Sequence, residues 1–402
     1  MIVSLVSSLY GPHAHGGAER VAQSVAEALA GQGHEVHVIS LSKSNRVERT
    51  ELNGVRVHYV PLRNLYWPFP VSPAGVAMKA AWHAIDAHNP AMARRVGALL
   101  DEIRPEVVNT HNLAGFSAAV WPEVARRGLR LVHTLHDYYL LCPYSTMFRR
   151  EANCASPCLR CRIPTAPRRA LSRHVQGVIG VSRFVLERHL EQGLFSRARS
   201  SVVYNGYRGP ALAAEQTRAV SGKLQIGFLG SLVPAKGLDR LVDAFLDLPP
   251  RVAELRIAGS GDPAYEALLK TRSAQRDDLR WLGVVRPEEF LPGLDVLVVP
   301  SLFHEPMGRV VVEAFSHGLP VIAARRGGIP ELFRGACGWL YEPDDPGGLP
   351  AILREILARR EVLEPMRMAA RGAARRFPLE AMLEGYLLAY REAAARCAGA
   401  RR

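Results

Sequence analysis

Two glutamates, Glu305 and Glu313, stand with seven residues between them in Pro300-Ser-Leu-Phe-His-Glu-Pro-Met-Gly-Arg-Val-Val-Val-Glu-Ala-Phe-Ser-His-Gly-Leu-Pro320. Carboxylates are costly to bury unless hydroxyls or cations satisfy them. The pattern predicts a buried strand at 296–299, then a loop, then a helix opening near Met307. Glu305, just before that helix, is placed to accept hydrogen bonds from sugar hydroxyls. Glu313, two turns into an apolar helix, suits the vicinal hydroxyls of a ribose. The amides of Gly308, Arg309 and Val310 would point at a pyrophosphate, as helix N-termini do. Gly16-Gly17 opens an earlier helix, where backbone amides without side chains can approach a phosphate or a sugar hydroxyl. His136 ends a strand at 131–135, beside Asp137, and His111 follows a strand at 106–110. His133, inside its strand, reads as structural.

Alternating strand-like and helical stretches position these residues. Runs at 2–7, 35–41, 55–60, 106–110, 131–135, 177–181 and 201–204 read as strands, with helices between most of them. A second series begins at Leu224-Gln-Ile-Gly-Phe-Leu-Gly230 and ends in three helices. This alternation implies parallel sheets wound with helices on both faces. At 402 residues the chain fits two domains of roughly 200 residues each, with 207–222 as the linker.

Two glutamates so spaced, followed by Ala-Phe-Ser-His-Gly-Leu-Pro-Val-Ile-Ala, resemble the signature of glycosyltransferase family 4 in the GT-B superfamily. Gly16-Gly17-Ala-Glu-Arg with Gly33-His-Glu-Val-His-Val is similar to that family's opening. Asn205-Gly206, Gly230-Ser-Leu-Val-Pro-Ala-Lys236-Gly237, Ala258-Gly-Ser-Gly261, Leu282-Gly283, Asp295 and Gly327-Gly-Ile-Pro-Glu331 follow in its order. The resemblance implies a GT-B fold, with two Rossmann-like domains facing across a cleft. It divides the chain into an acceptor-side domain 1–207, a donor-binding domain 208–377 and a helix 378–402 returning to the first. It also implies a nucleoside-diphosphate sugar as donor and transfer to a hydroxyl acceptor with retention of configuration. Lys236 then binds the diphosphate, Glu305 the transferred sugar, Glu313 the ribose, and His136 lies near the scissile bond. Where the family commonly has an arginine after Gly230, this chain has Ser231, and Arg309 is the nearest replacement cation. No Asp-x-Asp motif is present, so no cofactor is expected for catalysis. The acceptor side is assigned to His111 and Asp137. Asp137 is the one nearby acid for a covalent mechanism, although capping the next segment and same-face attack are favoured. The acceptor itself stays open among glycan, lipid-linked and small-molecule hydroxyls. A nucleotide-sugar epimerase and a non-catalytic binding module are the alternatives. An NAD oxidoreductase is disfavoured, because the first loop lacks Gly-x-Gly-x-x-Gly.

An insertion at 138–174 carries two further features. Cys154-x3-Cys158-x2-Cys161, with Cys142, has zinc-compatible spacing, so a structural zinc competes with free thiols. The net charge is +13, and seven arginines (149, 150, 160, 162, 168, 169 and 173) stand there against one acid, Glu151. That basic patch could meet phosphate, an acidic acceptor or anionic lipid headgroups, giving peripheral contact with the inner face of a membrane. No aromatic-interleaved motif accompanies it, which disfavours nucleic acid. The opening Met1-Ile-Val-Ser-Leu lacks a basic signal-peptide start, and no apolar run reaches 18 residues, so a cytoplasmic protein is expected.

Overall fold

The computed structural model describes residues 1–14, 16–69, 74–209 and 222–399, with the side chains of 394–399 left aside. Most of the expected linker falls outside these residues. The chain forms two compact units. One comprises Met1–Met147, Cys154–Asn205 and Leu379–Arg402; the other comprises Phe148–Asn153 and Gly206–Pro378.

The first unit is an eight-stranded sheet. Its strands are β1 (Ile2–Ser7), β2 (Glu35–Ser42), β3 (Glu48–Leu52), β4 (Val55–Pro61), β5 (Val107–Thr110) and β6 (Arg130–Leu135). A two-stranded hairpin, β7 (Phe148–Arg149) and β8 (Ala152–Asn153), groups with the second unit. The chain then returns with β9 (Gly177–Gly180) and β10 (Arg199–Val202). The sheet order is β10-β9-β6-β5-β1-β2-β4-β3, parallel except for β3 on β4. Central strands are continuous apolar runs because helices cover both faces. The long last helix, Leu379–Gly399, belongs to this unit. It buries Met382, Leu383, Tyr386 and Tyr390 in the core formed with β1, β5 and β9. The Tyr390 hydroxyl donates to Asn109 Oδ1 on β5 at 2.9 Å.

The second unit is a six-stranded, wholly parallel sheet. Its strands are β11 (Leu224–Leu229), β12 (Ala253–Ala258), β13 (Leu279–Gly283), β14 (Val296–Val299), β15 (Val321–Ala324) and β16 (Gly338–Tyr341). The order β13-β12-β11-β14-β15-β16 places the reversal of winding between β11 and β14. Open parallel sheets bind ligands outside the carboxyl ends of such strands. Lys236 follows β11, and Glu305 follows β14.

Candidate functional site: a carboxylate loop and a histidine pair

In the second unit, Lys236 ends a short 3-10 turn (Pro234–Lys236), and Gly237 then starts the helix Leu238–Leu246. Gly237 has φ +66°, and a Cβ there would collide with the carbonyl of Pro300. Only glycine therefore lets this turn lie against the loop after β14. The amides of Leu302 and Phe303 both donate to the Ala235 carbonyl, at 2.9 and 3.2 Å. The two loops meet side chain to side chain as well. Lys236 Nζ lies 2.7 Å from Glu305 Oε1, the Ser301 hydroxyl donates to the same oxygen at 2.6 Å, and Lys236 sits over the Phe303 ring. Glu305 is buried yet satisfied. Its backbone is clamped from the other side, since Gly328 N donates to Glu305 O at 2.8 Å.

The following helix begins at Arg309, later than expected. Its N-cap, Gly308, is left-handed at φ +90° and offers no side-chain cap. The first amides of the helix thus have no capping side chain, and a partial positive charge collects there. Met307 is buried. Arg309 Nη2 pairs with Glu313 Oε1 at 2.8 Å, one turn along, and Glu313 is buried. Ser231 is exposed after β11.

One contributor escaped the sequence reading. Asn153, from the β7–β8 hairpin, donates to Leu302 O (2.8 Å) and accepts from His304 N (2.7 Å). It pins the segment that delivers Glu305. A lone Asn beside a cysteine motif gives no signal of that role.

In the first unit, His136 Nε2 and His111 Nδ1 are 2.8 Å apart, with the rings stacked. His111 also stacks on Tyr386 of the last helix. Burial pushes His136 down to about 3 and holds His111 well below the usual range, with His136 adding to the effect. Both rings are neutral at pH 7. His111 Nε2 is buried without a partner. A proton on His111 Nδ1, donated to His136, avoids burying an orphan N–H and leaves His136 with an Nδ1–H. His111, expected on the acceptor side, is only 2% exposed and faces His136. His133 packs against Trp121 and Phe195 and bonds Thr110, a structural place.

Asp137 accepts from Tyr139 N at 2.8 Å, closing a tight turn. Burial raises its carboxyl to about 6, and nearby Glu19 adds to the rise. Glu19 was not singled out from the sequence. It stands in the first turn of the helix Gly17–Gly31, and a Cβ on Gly16 would collide with its carboxylate. One Glu19 oxygen accepts from Asn112, and the other is buried and unpartnered. The helix start at Gly16-Gly17 therefore carries an acid of its own, which suits a hydroxyl better than a phosphate.

Among the described residues, no group of three or more His, Cys, Asp or Glu is arranged to hold a metal ion. Of the four cysteines expected as a zinc set, Cys142, Cys158 and Cys161 are brought together. Cys142 and Cys158 each lie with Sγ 3.7 Å from that of Cys161, and the described cysteines form no disulfide. Burial, then the neighbouring thiols, push the Cys161 thiol up. The basic patch is also revised. Arg168 is fully buried and pairs with Asp86 at 3.1 Å.

Comparison with known proteins places this geometry. The family described as Glycosyl transferase 4-like domain matches residues 16–206, and Glycosyl transferases group 1 matches 223–359. An uncharacterized 42.6 kDa protein of the Klebsiella pneumoniae cps region is 30% identical, over 83% of this chain and 88% of its own. Among solved structures, sucrose-phosphate synthase from Thermosynechococcus elongatus superposes with a TM-score of 0.77 at 19% identity, covering 98% of this chain and 99% of its own. Anabaena HepE in complex with UDP-glucose gives 0.69 at 19% identity, covering 96% and 97%. These structural likenesses carry the fold, and the sequence matches carry the family. The chain belongs to the group 1, family-4-like glycosyltransferases and has their GT-B fold.

Proposed function

We propose that the protein transfers a sugar from a nucleoside-diphosphate sugar to a hydroxyl acceptor, with retention and without a divalent cation. The observation that carries this reading is the Lys236–Glu305–Ser301 cluster beside a helix start with no side-chain cap. A cation, a buried carboxylate and helix-start amides without a side-chain cap are what a sugar joined to a diphosphate requires.

Lys236, Arg309 and the amides from Met307 to Val310 take the diphosphate. Glu305 accepts from hydroxyls of the transferred sugar, and Glu313 from the ribose, with Ser231 beside the same phosphates. In the first unit, His136 offers Nδ1–H to a hydroxyl, while Gly16 and Gly17 open the helix beside Glu19. The bond from anomeric carbon to phosphate oxygen breaks as the acceptor oxygen bonds to that carbon on the same face. The acceptor proton passes to the departing phosphate oxygen. Asp137, engaged by Tyr139 N, shapes its turn and forms no covalent intermediate.

The test incubates the protein with a panel of nucleoside-diphosphate sugars and follows diphosphate release and the anomeric proton by NMR. Release with the donor's anomeric configuration in the first-formed product supports the proposal. An altered donor sugar with no release would indicate an epimerase. Tight binding with neither change would indicate a binding module.

A further inference from the structure

The helix Leu159–Leu171 is built inside out. Its buried positions are Cys161, Thr165 and Arg168. Its solvent face carries Leu159, 72% exposed, and Ile163, 68% exposed, one turn apart. Exposed Ala166 and Ala170 continue the same stripe at helical spacing. Exposed Arg160 borders it on one side and Arg162 and Arg169 on the other. Residues 155–173 contain no acid.

The inward polar face is firmly held. Arg168 pairs with Asp86, donates to the Tyr139 carbonyl and stacks 3.6 Å from that ring's centroid. The helix thus cannot roll its apolar stripe inward without uncovering a buried ion pair, which is strongly unfavourable. Exposure of the stripe is imposed by the fold. Nearby Tyr144, 70% exposed, is an amphipathic ring next to Cys142, whose sulfur touches Cys161.

We propose that this helix face docks the protein on an anionic lipid bilayer surface, lying in the interface plane. Apolar residues entering the acyl boundary between flanking arginines is the arrangement such helices use. Charge complementarity selects this occupant. A second copy meeting the same face about a two-fold axis would set arginine against arginine with no acid to relieve them. No described helix is long and apolar enough to cross a membrane, so attachment through this face would be peripheral. The inference stands apart from the proposed reaction, because none of these residues belongs to the donor site.

Vesicle sedimentation tests it, with phosphatidylcholine alone and with about a third phosphatidylglycerol. The wild-type chain should partition onto the anionic vesicles and far less onto the neutral ones, and high salt should release it. Replacing Arg160, Arg162 and Arg169 by Gln should lower the partition coefficient by roughly fivefold per charge. Leu159→Asp with Ile163→Asp should abolish binding while melting temperature and nucleotide affinity stay unchanged. Equal partition on both lipids, or undiminished binding by either variant, would overturn the proposal. So would a wild-type dimer that the Asp variant converts to monomer, since a second copy would then be the occupant.

Discussion

Lys236 and Glu305, 69 positions apart in sequence, form an ion pair with Nζ 2.7 Å from Oε1. The lysine is about a quarter exposed and the glutamate is buried. Such a pair is easily reorganised, because the lysine can turn to an arriving phosphate while Ser301 still bonds the carboxylate. Lys236→Ala should weaken nucleoside-diphosphate binding by about 1.5–3 kcal/mol, as for the loss of a charged hydrogen bond. Titration calorimetry checks it, and unchanged affinity would confine the lysine to holding Glu305.

Arg309 presents a parallel case. Without ligand it pairs with Glu313 at 2.8 Å, on the first turn of a helix where a cation is mildly unfavourable. A diphosphate there would relieve that cost and take one edge of the guanidinium. Arg309→Ala should therefore weaken nucleoside-diphosphate binding by about 1.5–3 kcal/mol, and adding Ser231→Arg should restore part of it. If the double variant binds no better than Arg309→Ala, Ser231 does not face the phosphates.

Acid should destabilise the first unit. Burial is the leading cause that lowers His136 to about 3 and His58 and His189 to about 4, and it also lowers His111 and His133. Unfolded histidines protonate near pH 6.5. Between those values the unfolded chain binds more protons, so stability present above pH 6.5 is lost as pH falls towards 4. Asp137, raised to about 6, works the other way, since the folded chain then holds a proton that the unfolded chain lacks. Burial raises Asp86 as well, and the five histidines outweigh these two carboxyls. Scanning calorimetry from pH 7 to 4.5 should show the melting temperature of the first unit falling, and a flat or rising profile would contradict this.

The buried pair Arg168–Asp86 should be intolerant of half-replacement. Both side chains are fully buried, and Asp86 also accepts from Tyr139 OH and Gly115 N. Arg168→Met leaves that carboxylate without its cation and should cost about 3–5 kcal/mol, with Arg168→Met plus Asp86→Leu costing less. Urea unfolding of the three proteins decides it. Equal losses in the single and double variants would mean that packing, not charge, dominates.

The parallel sheets were legible because β1, β5, β6, β11 and β14 are apolar runs between helix signals. The strand β3 was not, since Glu-Arg-Thr-Glu-Leu at a sheet edge is exposed and has no apolar period. β10 lies two residues earlier than expected for the same reason, its residues being polar and half exposed. Glu305, Glu313 and Lys236 stood out as candidates through the motifs that carry the family resemblance, and the structure pairs Lys236 with Glu305. The His111–His136 bond, the Glu19 carboxylate over Gly16 and the Asn153 clamp were not, because each depends on contacts far apart in sequence. Arg168 looked like part of a surface patch because sequence cannot show the buried partner, Asp86, 82 positions away.

Comparing Glu305→Ala with the wild type in nucleotide-sugar turnover and nucleoside-diphosphate affinity tests the central claim most directly. Glu305 is assigned to the sugar and not to the phosphates. Turnover should fall by about a hundredfold or more, as when a group that stabilises the transition state is removed. Affinity for the free diphosphate should change by no more than roughly threefold. Wild-type turnover in Glu305→Ala, or an affinity loss as large as the turnover loss, would contradict the assignment.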